Sequence, residues 1–383
     1  MSIILYRPDA VAVWRNNEVK KRLRWYRSVM LDKTPAKFMI LKTIPIDMKL
    51  DEASDNELWK LNDDMHKYAE ELFSQYFEKG LKLDELRMVS PSFLDLKIKL
   101  AYRILKKCHF CEWRCGVNRL EGEKGVCKLD YRAYVSSFFH HYGEEAPLIG
   151  VEGKGGSGTI FFASCTFHCV FCQNWDISQP RGGVENAGVE TDPLKLATIA
   201  RRLRLDGAAN INYVGGEPTP NLHIILESLK YLDVNVPILW NSNMYMSEEA
   251  MKILIDVVDI WLPDFKYWSN DCAKKLSKIG AKMGYREVVT RNHLIASMHG
   301  DMIIRHLVLP NHVECDTKPI LKWIAENIGE KVLVNIMEQY RPEHQVLTKP
   351  ELYKDIARRP YREELMEAYN YAKQLGIVYE PVS

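Results

Sequence analysis

From about residue 155 onward the chain alternates short apolar runs with amphipathic stretches, and this alternation limits the fold more than any other feature of the sequence. The apolar runs at 159–164, 210–214, 237–240, 257–262, 302–309 and 331–337 have strand length and β-branched or aromatic content. Between and after them lie helix-like stretches at 192–205, 221–232, 247–256, a longer region 271–298, 317–328 and 362–375. Thr191-Asp192-Pro193 and Ser247-Glu248-Glu249 are helix-start signals, a capping side chain followed by proline or acids. Parallel strands need a crossover connection, and strand–helix alternation supplies one each time. Six such units imply a parallel sheet with outer helices, doubly wound or curled into a barrel. In either form ligands sit beyond the carboxyl ends of the strands, so chemistry-bearing residues should follow the apolar runs.

The first hundred residues have a different character. Ser54 and Glu57 form a capping box, and Leu58, Leu61, Met65, Tyr68, Leu72 and Tyr76 recur at helical spacing up to Gly80, predicting a core-facing helix over 54–79. Residues 1–50 carry eleven Lys or Arg against four acids, net +7. Within them Lys20-Lys21-Arg22-Leu23-Arg24-Trp25-Tyr26-Arg27 interleaves charge with aromatics. That pattern suits contact with an anionic partner such as RNA. It equally suits a helix with a solvated basic face whose Leu23, Trp25 and Tyr26 dock on the body, the reading we favour. Three regions follow: a helical N-terminal region 1–100 with its basic arm 1–50, a Cys-rich subdomain 101–150, and a βα core 151–383. The whole 383-residue chain has a net charge of only +1, which argues against broad electrostatic binding to nucleic acid. No apolar run approaches the roughly 18 residues of a membrane span, and no signal pattern opens the chain. A soluble cytoplasmic protein, with no membrane partner, is the expectation.

The nine cysteines are unevenly spread. An odd total in a chain of this kind argues for metal or redox chemistry over a disulfide framework. Cys165, Cys169 and Cys172 follow the first apolar run directly. Three thiolates in eight residues can wrap one face of an iron–sulfur cubane and leave one iron free for a small molecule. A zinc site completed by His168, Cys272 or Cys315 is the lesser alternative. Cys108, Cys111, Cys115 and Cys127 form a second group, four thiols with Gly116, Gly122 and Gly125 for tight turns. Four thiolates read as a closed site for zinc or a second iron–sulfur cluster, and the uneven gaps favour the cluster. Cys272 and Cys315 stand alone and are read as small core residues.

Cys-x3-Cys-x2-Cys with Phe171 before the last cysteine resembles the signature loop of the radical S-adenosylmethionine (radical SAM) enzymes. Gly215-Gly216-Glu217-Pro218 resembles the family's Gly-Gly-Glu motif, which meets the SAM amino group. Ser242 and Asn243 follow the third run; Asp264-Phe265-Lys266 is similar to the Asp-x-Lys motif of glycyl-radical activating enzymes; Arg305 resembles their strand-five arginine. Phrases such as 158–162, 172–179, 240–246 and 335–340 look like the pyruvate formate-lyase activating enzyme-like branch. The resemblance covers about residues 108–380. It implies a partial (β/α)6 TIM-type barrel and a 4Fe-4S cluster on Cys165, Cys169 and Cys172. It also implies SAM held by Phe171, Gly215, Gly216, Glu217, Ser242, Asn243, Asp264, Lys266 and Arg305. The implied activity is reductive cleavage of SAM to a 5′-deoxyadenosyl radical that abstracts hydrogen, fed by a flavodoxin- or ferredoxin-like one-electron donor. The substrate stays open: a protein glycyl residue as in the activases, or RNA, a peptide or a small metabolite. A non-catalytic iron–sulfur or zinc protein, an electron carrier or a scaffold, is the rival. One departure stands out: Asn241-Ser242 replaces the Asp-Thr pair with which the activases hold a monovalent cation.

Two further groups are weaker candidates. His140-His141-Tyr142-Gly143-Glu144-Glu145 can line a pocket, although adjacent histidines in an extended chain face opposite ways, and a structural role is preferred. His306, Glu338 and Tyr340 fall at or just after the last two runs and can face the mouth of a barrel.

Overall fold

Each of the six apolar runs forms a strand, and the computed structural model describes residues 7–79, 85–151 and 155–383. The strands are β1 (Tyr134–His141), β2 (Ser157–Phe162), β3 (Val189–Glu190), β4 (Ile211–Gly215), β5 (Ile238–Ser242), β6 (Ile260–Pro263), β7 (Asp301–Leu307) and β8 (Leu333–Met337). They make one eight-stranded sheet in the order β3-β1-β2-β4-β5-β6-β7-β8. From β2 to β8 every pairing in that order is parallel. The fold is α/β, a parallel sheet curled into a partial barrel with helices outside.

Two strands not expected from the apolar runs, β1 and β3, extend the β2 edge in antiparallel sense. β1 lacks a period-two pattern because both its faces are partly open: Phe138 and Phe139 are adjacent and both exposed. The helix-like region 271–298 is two helices, Asn270–Ser277 and Tyr285–Met298, broken where Lys278 takes a left-handed conformation (φ 58°). The helix Asp55–Lys79 starts at the Ser54–Glu57 box, where the Ser54 amide donates to Glu57 Oε2 at 2.8 Å. Gly80, its expected terminus, lies outside the described residues. Leu58, Asn62, Ala69 and Phe73 are buried and Leu61, Met65, Leu72 and Tyr76 pack half-buried against the same core, so the expected stripe faces inward except at Tyr68, which points to solvent. Asn62 is drawn in by Lys97, a wholly buried ammonium that donates to Asn62 Oδ1 (3.0 Å) and pairs with Asp256 Oδ2 (2.7 Å). A buried charge must find such partners.

The basic arm is built into the barrel. Short helices Asn17–Arg22 and Arg24–Met30 bring Val19, Leu23, Tyr26 and Met30 against Leu239, Ile260, Leu262, Ile303 and Leu333 in one apolar cluster. These are residues of β5 to β8, and the polar anchors lie where those strands begin. Asp301 Oδ2, at the start of β7, accepts from the Tyr26 amide at 2.7 Å. Asp259, just before β6, accepts from Trp25 Nε1 (2.7 Å) and from the Lys37 and Ile238 amides (3.1 and 2.8 Å). The Tyr26 hydroxyl accepts from Asn210 Nδ2 at 2.9 Å. Leu23 and Tyr26 have no exposed surface. The docked-helix reading therefore holds for the aromatic residues of the arm, and the arm plugs the amino-terminal end of the barrel.

Burial pushes the Asp301 carboxyl up to about 7, against the opposing pull of the Tyr26 amide and Lys37. A raised folded-state pKa means that the protonated acid is the stable form, so the stability it contributes is lost as pH rises from about 4 through 7. Asp301→Asn keeps an acceptor for Tyr26 and removes the ionisation. The variant is expected to melt higher than the parent at pH 8, by the equivalent of a few kcal/mol at most, and to match it near pH 4, as measured by calorimetry across that range.

Candidate functional site

The loop after β2 opens at Ser164, a non-glycine residue in the left-handed region (φ 79°). Its amide donates to Ile177 O at 2.8 Å and its hydroxyl to Cys127 O. Past this bend the chain lays Cys165, Cys169 and Cys172 along one wall of a large cavity. Each thiol has a neighbour able to stabilise negative charge on sulfur. The Phe167 amide donates to Cys165 Sγ (3.3 Å), while the hydroxyls of Ser277 and Ser178 lie 2.9 Å from Cys169 Sγ and 3.2 Å from Cys172 Sγ. Burial nonetheless pushes all three up, Cys169 to about 11. Thiols raised in this way favour the protonated form, and a bound cation would favour the thiolate.

β4 ends in Gly215 and Gly216, and both are dictated by contact. A Cβ on Gly215 (φ 120°) would lie 2.2 Å from the Phe162 nitrogen, and one on Gly216 would lie 1.8 Å from the Ser164 carbonyl oxygen. The chain passes this closely under the triplet loop only because neither residue has a side chain. Glu217 then turns inward and is buried. Its Oε1 accepts from Ser242 Oγ (2.7 Å) and Thr219 Oγ1 (2.5 Å), and its Oε2 from the Asn243 amide (2.9 Å). Burial still holds the carboxyl above its ordinary value. Asn243 also donates to Thr166 Oγ1 at 2.9 Å, tying the end of β5 to the triplet loop.

A single bridge beyond the paired part of β6 and β7 sets Asp264 beside Arg305. Arg305 Nε donates to Asp264 Oδ1 (2.9 Å), its Nη2 donates to Asn241 Oδ1, and Lys266 Nζ donates to Asp264 Oδ2 (2.7 Å). Burial opposes ionisation of Asp264, but the two cations outweigh it and hold the carboxyl below the usual range. Asn241, where the activases carry aspartate, is thus occupied as an acceptor for arginine.

All twelve residues expected at the SAM and cluster site line this one cavity of about 1290 Å³: Cys165, Cys169, Phe171, Cys172, Gly215, Gly216, Glu217, Ser242, Asn243, Asp264, Lys266 and Arg305. Phe171 packs edge-on against Tyr340 (5.7 Å between centroids), and Glu338 and Tyr340 line the same space. His306 does not. It is buried, with Nδ1 on the Phe265 carbonyl (2.8 Å) and Nε2 on Thr317 Oγ1 (2.9 Å), a structural histidine. His140 likewise bonds to the Gly155 carbonyl. His141, Glu144 and Glu145, in contrast, face the cavity, so the structural reading of that stretch fails for them. Asn212 donates to Glu144 Oε1 (2.9 Å) and Asn335 to Glu145 Oε1 (2.8 Å), while Glu145 Oε2 is buried without a hydrogen-bond partner among the described residues. Nothing local in the sequence separates Glu145 from a structural residue; the path of β1 across β2 brings it to the cavity wall.

The second cysteine group closes on itself. Cys108, Cys111, Cys115 and Cys127 line one small pocket together with Arg119, Thr219 and Pro220. Gly125 is needed there, since a Cβ would lie 2.7 Å from Cys115 Sγ. Burial pushes the Cys111 thiol well up, and the nearby Cys127, Cys108 and Cys115 add to the rise. Because Thr219 follows Glu217 and Cys127 O accepts from Ser164, this pocket backs directly onto the loops that build the large one. Cys272 and Cys315 are not isolated core residues as expected. Cys315 is exposed, and the two converge with His312 and Asp316 on a separate cluster.

The radical SAM superfamily profile matches residues 159–324. An uncharacterized protein of Methanocaldococcus jannaschii is 42% identical over 363 residues, 94% of this chain and 100% of the relative. A second uncharacterized protein of that organism is 24% identical over 291 residues, 71% of this chain and 79% of the relative. Among solved structures, Streptococcus suis SuiB bound to its precursor peptide SuiA is 13% identical with a TM-score of 0.40, and the chain spans 46% of its length and is covered over 56% of its own. SuiB bound to S-adenosylmethionine is 12% identical with a TM-score of 0.39, over 56% of this chain and 47% of SuiB. The cysteine triplet and the glycine turn both lie within the matched segment, so residues 159–324 form a radical SAM domain.

Proposed function

We propose that this radical SAM enzyme carries a 4Fe-4S cluster on Cys165, Cys169 and Cys172 and cleaves SAM reductively in the large cavity, in the manner of the activating enzymes. The observation that supports this most is the convergence of the three thiols, the Gly215-Gly216 turn, Glu217 and the Asp264–Arg305 pair on one space. The residues fit the group. The donors are all sulfur, the fourth direction from the triplet is open to the cavity, and the glycine turn allows close approach of a ligand to backbone.

When bound, the cluster supplies one electron to SAM, and its open iron supplies the chelation site. The protein's share of the chemistry is orientation and exclusion of water. Glu217, held by Ser242, Thr219 and the Asn243 amide, presents a fixed carboxylate toward an ammonium group. Arg305, clamped by Asp264 and Asn241, cannot swing, so its remaining N–H groups are preset for a carboxylate or ribose. Lys266 is kept charged by Asp264 in a site where burial alone would neutralise it. Phe171 and Tyr340 close the apolar side.

The cavity exceeds the roughly 300–1,000 Å³ of ordinary small-ligand pockets, so a second molecule or an inserted segment fits beside SAM. Glu144, Glu145 and Glu338 line that remaining volume. We assign the hydrogen-abstraction substrate to this space, with a glycyl residue of a protein as the first class to test, in line with the Asp264-Phe265-Lys266 motif. The four-cysteine pocket would hold a second metal centre, an auxiliary iron–sulfur cluster in our reading, within the same structural unit. The electron donor would be a small flavin or iron–sulfur protein.

Anaerobically reconstituted protein reduced with dithionite is expected to convert SAM to 5′-deoxyadenosine and methionine, measured by liquid chromatography. The Cys165→Ala, Cys169→Ala, Cys172→Ala triple variant should form neither product while keeping the iron or zinc of the four-cysteine pocket; equal turnover by that variant would refute the assignment. Glu217→Gln preserves the shape and removes the charge. It should weaken SAM binding about 10- to 100-fold by calorimetry, the loss of one charge-assisted hydrogen bond, with iron content unchanged.

A further inference from the structure

The side chains of Cys272, His312, Cys315 and Asp316 each bring one donor atom to within 4.8 Å of all the others. None of the four lines the large cavity or the four-cysteine pocket. Cys272 lies in the helix Asn270–Ser277, and the other three come from the segment after β7. There the chain makes one π-type turn, Val313–Thr317, preceded by His312. Across this turn His312 Nδ1 comes within hydrogen-bond or near-contact distance of both Cys315 Sγ and Asp316 Oδ2, so the three side chains converge. Single π turns of this kind recur at functional sites.

The distances have the scale of a tetrahedral metal site. Cys272 Sγ lies 3.7 Å and Cys315 Sγ 3.5 Å from His312 Nδ1, and Cys315 Sγ lies 3.7 Å from Asp316 Oδ2. With Zn–S near 2.3 Å and Zn–N or Zn–O near 2.0–2.2 Å, the edges of such a tetrahedron run roughly 3.4–3.8 Å. The His312–Asp316 edge is shorter, 2.8 Å, the length of a hydrogen bond, and a small rotation of either side chain opens it. A His–Asp ion pair would explain those two groups but not the arrival of two thiols from separate elements.

The donors are also held from behind, as metal ligands are. Asp316 Oδ1 is taken by the Trp268 and Ser269 amides (2.7 and 2.9 Å), which leaves Oδ2 for a ligand role. His312 Nε2 faces Asp355 Oδ2 at 3.5 Å, the carboxylate–imidazole arrangement that orients a ligating ring. His312 and Asp316 are buried, Cys272 is half-buried and Cys315 is exposed, so an ion can enter from the Cys315 side.

We propose that Cys272, His312, Cys315 and Asp316 form a binding site for one thiophilic divalent cation of zinc's size and geometry, separate from both other cysteine groups. The site has a structural consequence. The helix that carries Cys272 ends against the triplet loop, where Ser277 Oγ meets Cys169 Sγ, the His168 amide donates to Ser277 O (3.1 Å) and the Val170 amide donates to Leu276 O (2.8 Å). A cation clamping the start of that helix to the segment after β7 would fix the platform on which the triplet loop rests.

The test uses the full chain, reconstituted with iron and sulfide, then equilibrated with zinc and desalted. Zinc K-edge X-ray absorption of this protein should show sulfur together with imidazole nitrogen and carboxylate oxygen in the first shell. An all-sulfur shell, or absence of retained zinc, overturns the proposal. Cys272→Ser/Cys315→Ser should lose one equivalent of zinc, whereas Cys108→Ser/Cys115→Ser should retain the mixed-donor signal; equal zinc in the Cys272→Ser/Cys315→Ser variant and the parent also overturns it. The spectrum of the parent protein carries the test even if a variant fails to fold.

Discussion

Two missing side chains govern the centre of this molecule. At Gly215 and Gly216 the end of β4 passes so close beneath the backbone of β2 and its following loop that any Cβ would overlap main-chain atoms. That closeness carries Glu217 inward to meet Ser242 and Asn243 from the end of β5, and Asn243 in turn holds Thr166 of the triplet loop. The thiols, the carboxylate and the polar groups after β5 are therefore one interlocked assembly. The Asp264–Arg305–Asn241 bridge joins it from the opposite wall, through a register in which β6 and β7 stop pairing and meet again at a single pair.

The parallel strands and the main site were legible in the sequence for a common reason. A buried parallel strand is a continuous apolar run, and the loop after it is where the fold puts its chemistry, so run and motif point to each other. What was not legible depends on pairings between distant segments. β1 has no alternation because neither face is wholly buried, and Glu144 and Glu145 acquire their position only from its antiparallel path. Cys272 and Cys315 looked solitary because their partners, His312 and Asp316, are common residue types and one ligand lies forty positions away. The inward place of Asn62 on Asp55–Lys79 was not legible because a hydrophobicity pattern takes no account of a buried lysine seeking Asn62 and Asp256.

The basic arm shows how composition can mislead. Its charge is net +7, yet the side chains that decide its position are Leu23, Trp25 and Tyr26, and the polar atoms that receive it are the carboxyl groups of buried Asp259 and half-buried Asp301. Part of the positive charge is spent within the fold: Lys37 is buried near those acids, and Arg24 and Arg27 lie over the rings of Phe77 and Trp14. The arm thereby covers the end of the barrel where β6 and β7 begin, and Arg7, Asp9, Val13 and Asn16 of the same arm line the large cavity.

A barrel of six parallel strands leaves two unpaired edges, and bare edges invite strand exchange between molecules. Here one side is continued by β1 and ends in the two-residue β3. Along the other, β8 is matched by the C-terminal segment, with the Val334 amide donating to Val378 O and the Ile336 amide to Ser383 Oγ. Among the described residues neither margin offers a long ladder for another copy to extend, so the open edges of the barrel are kept from templating strand exchange.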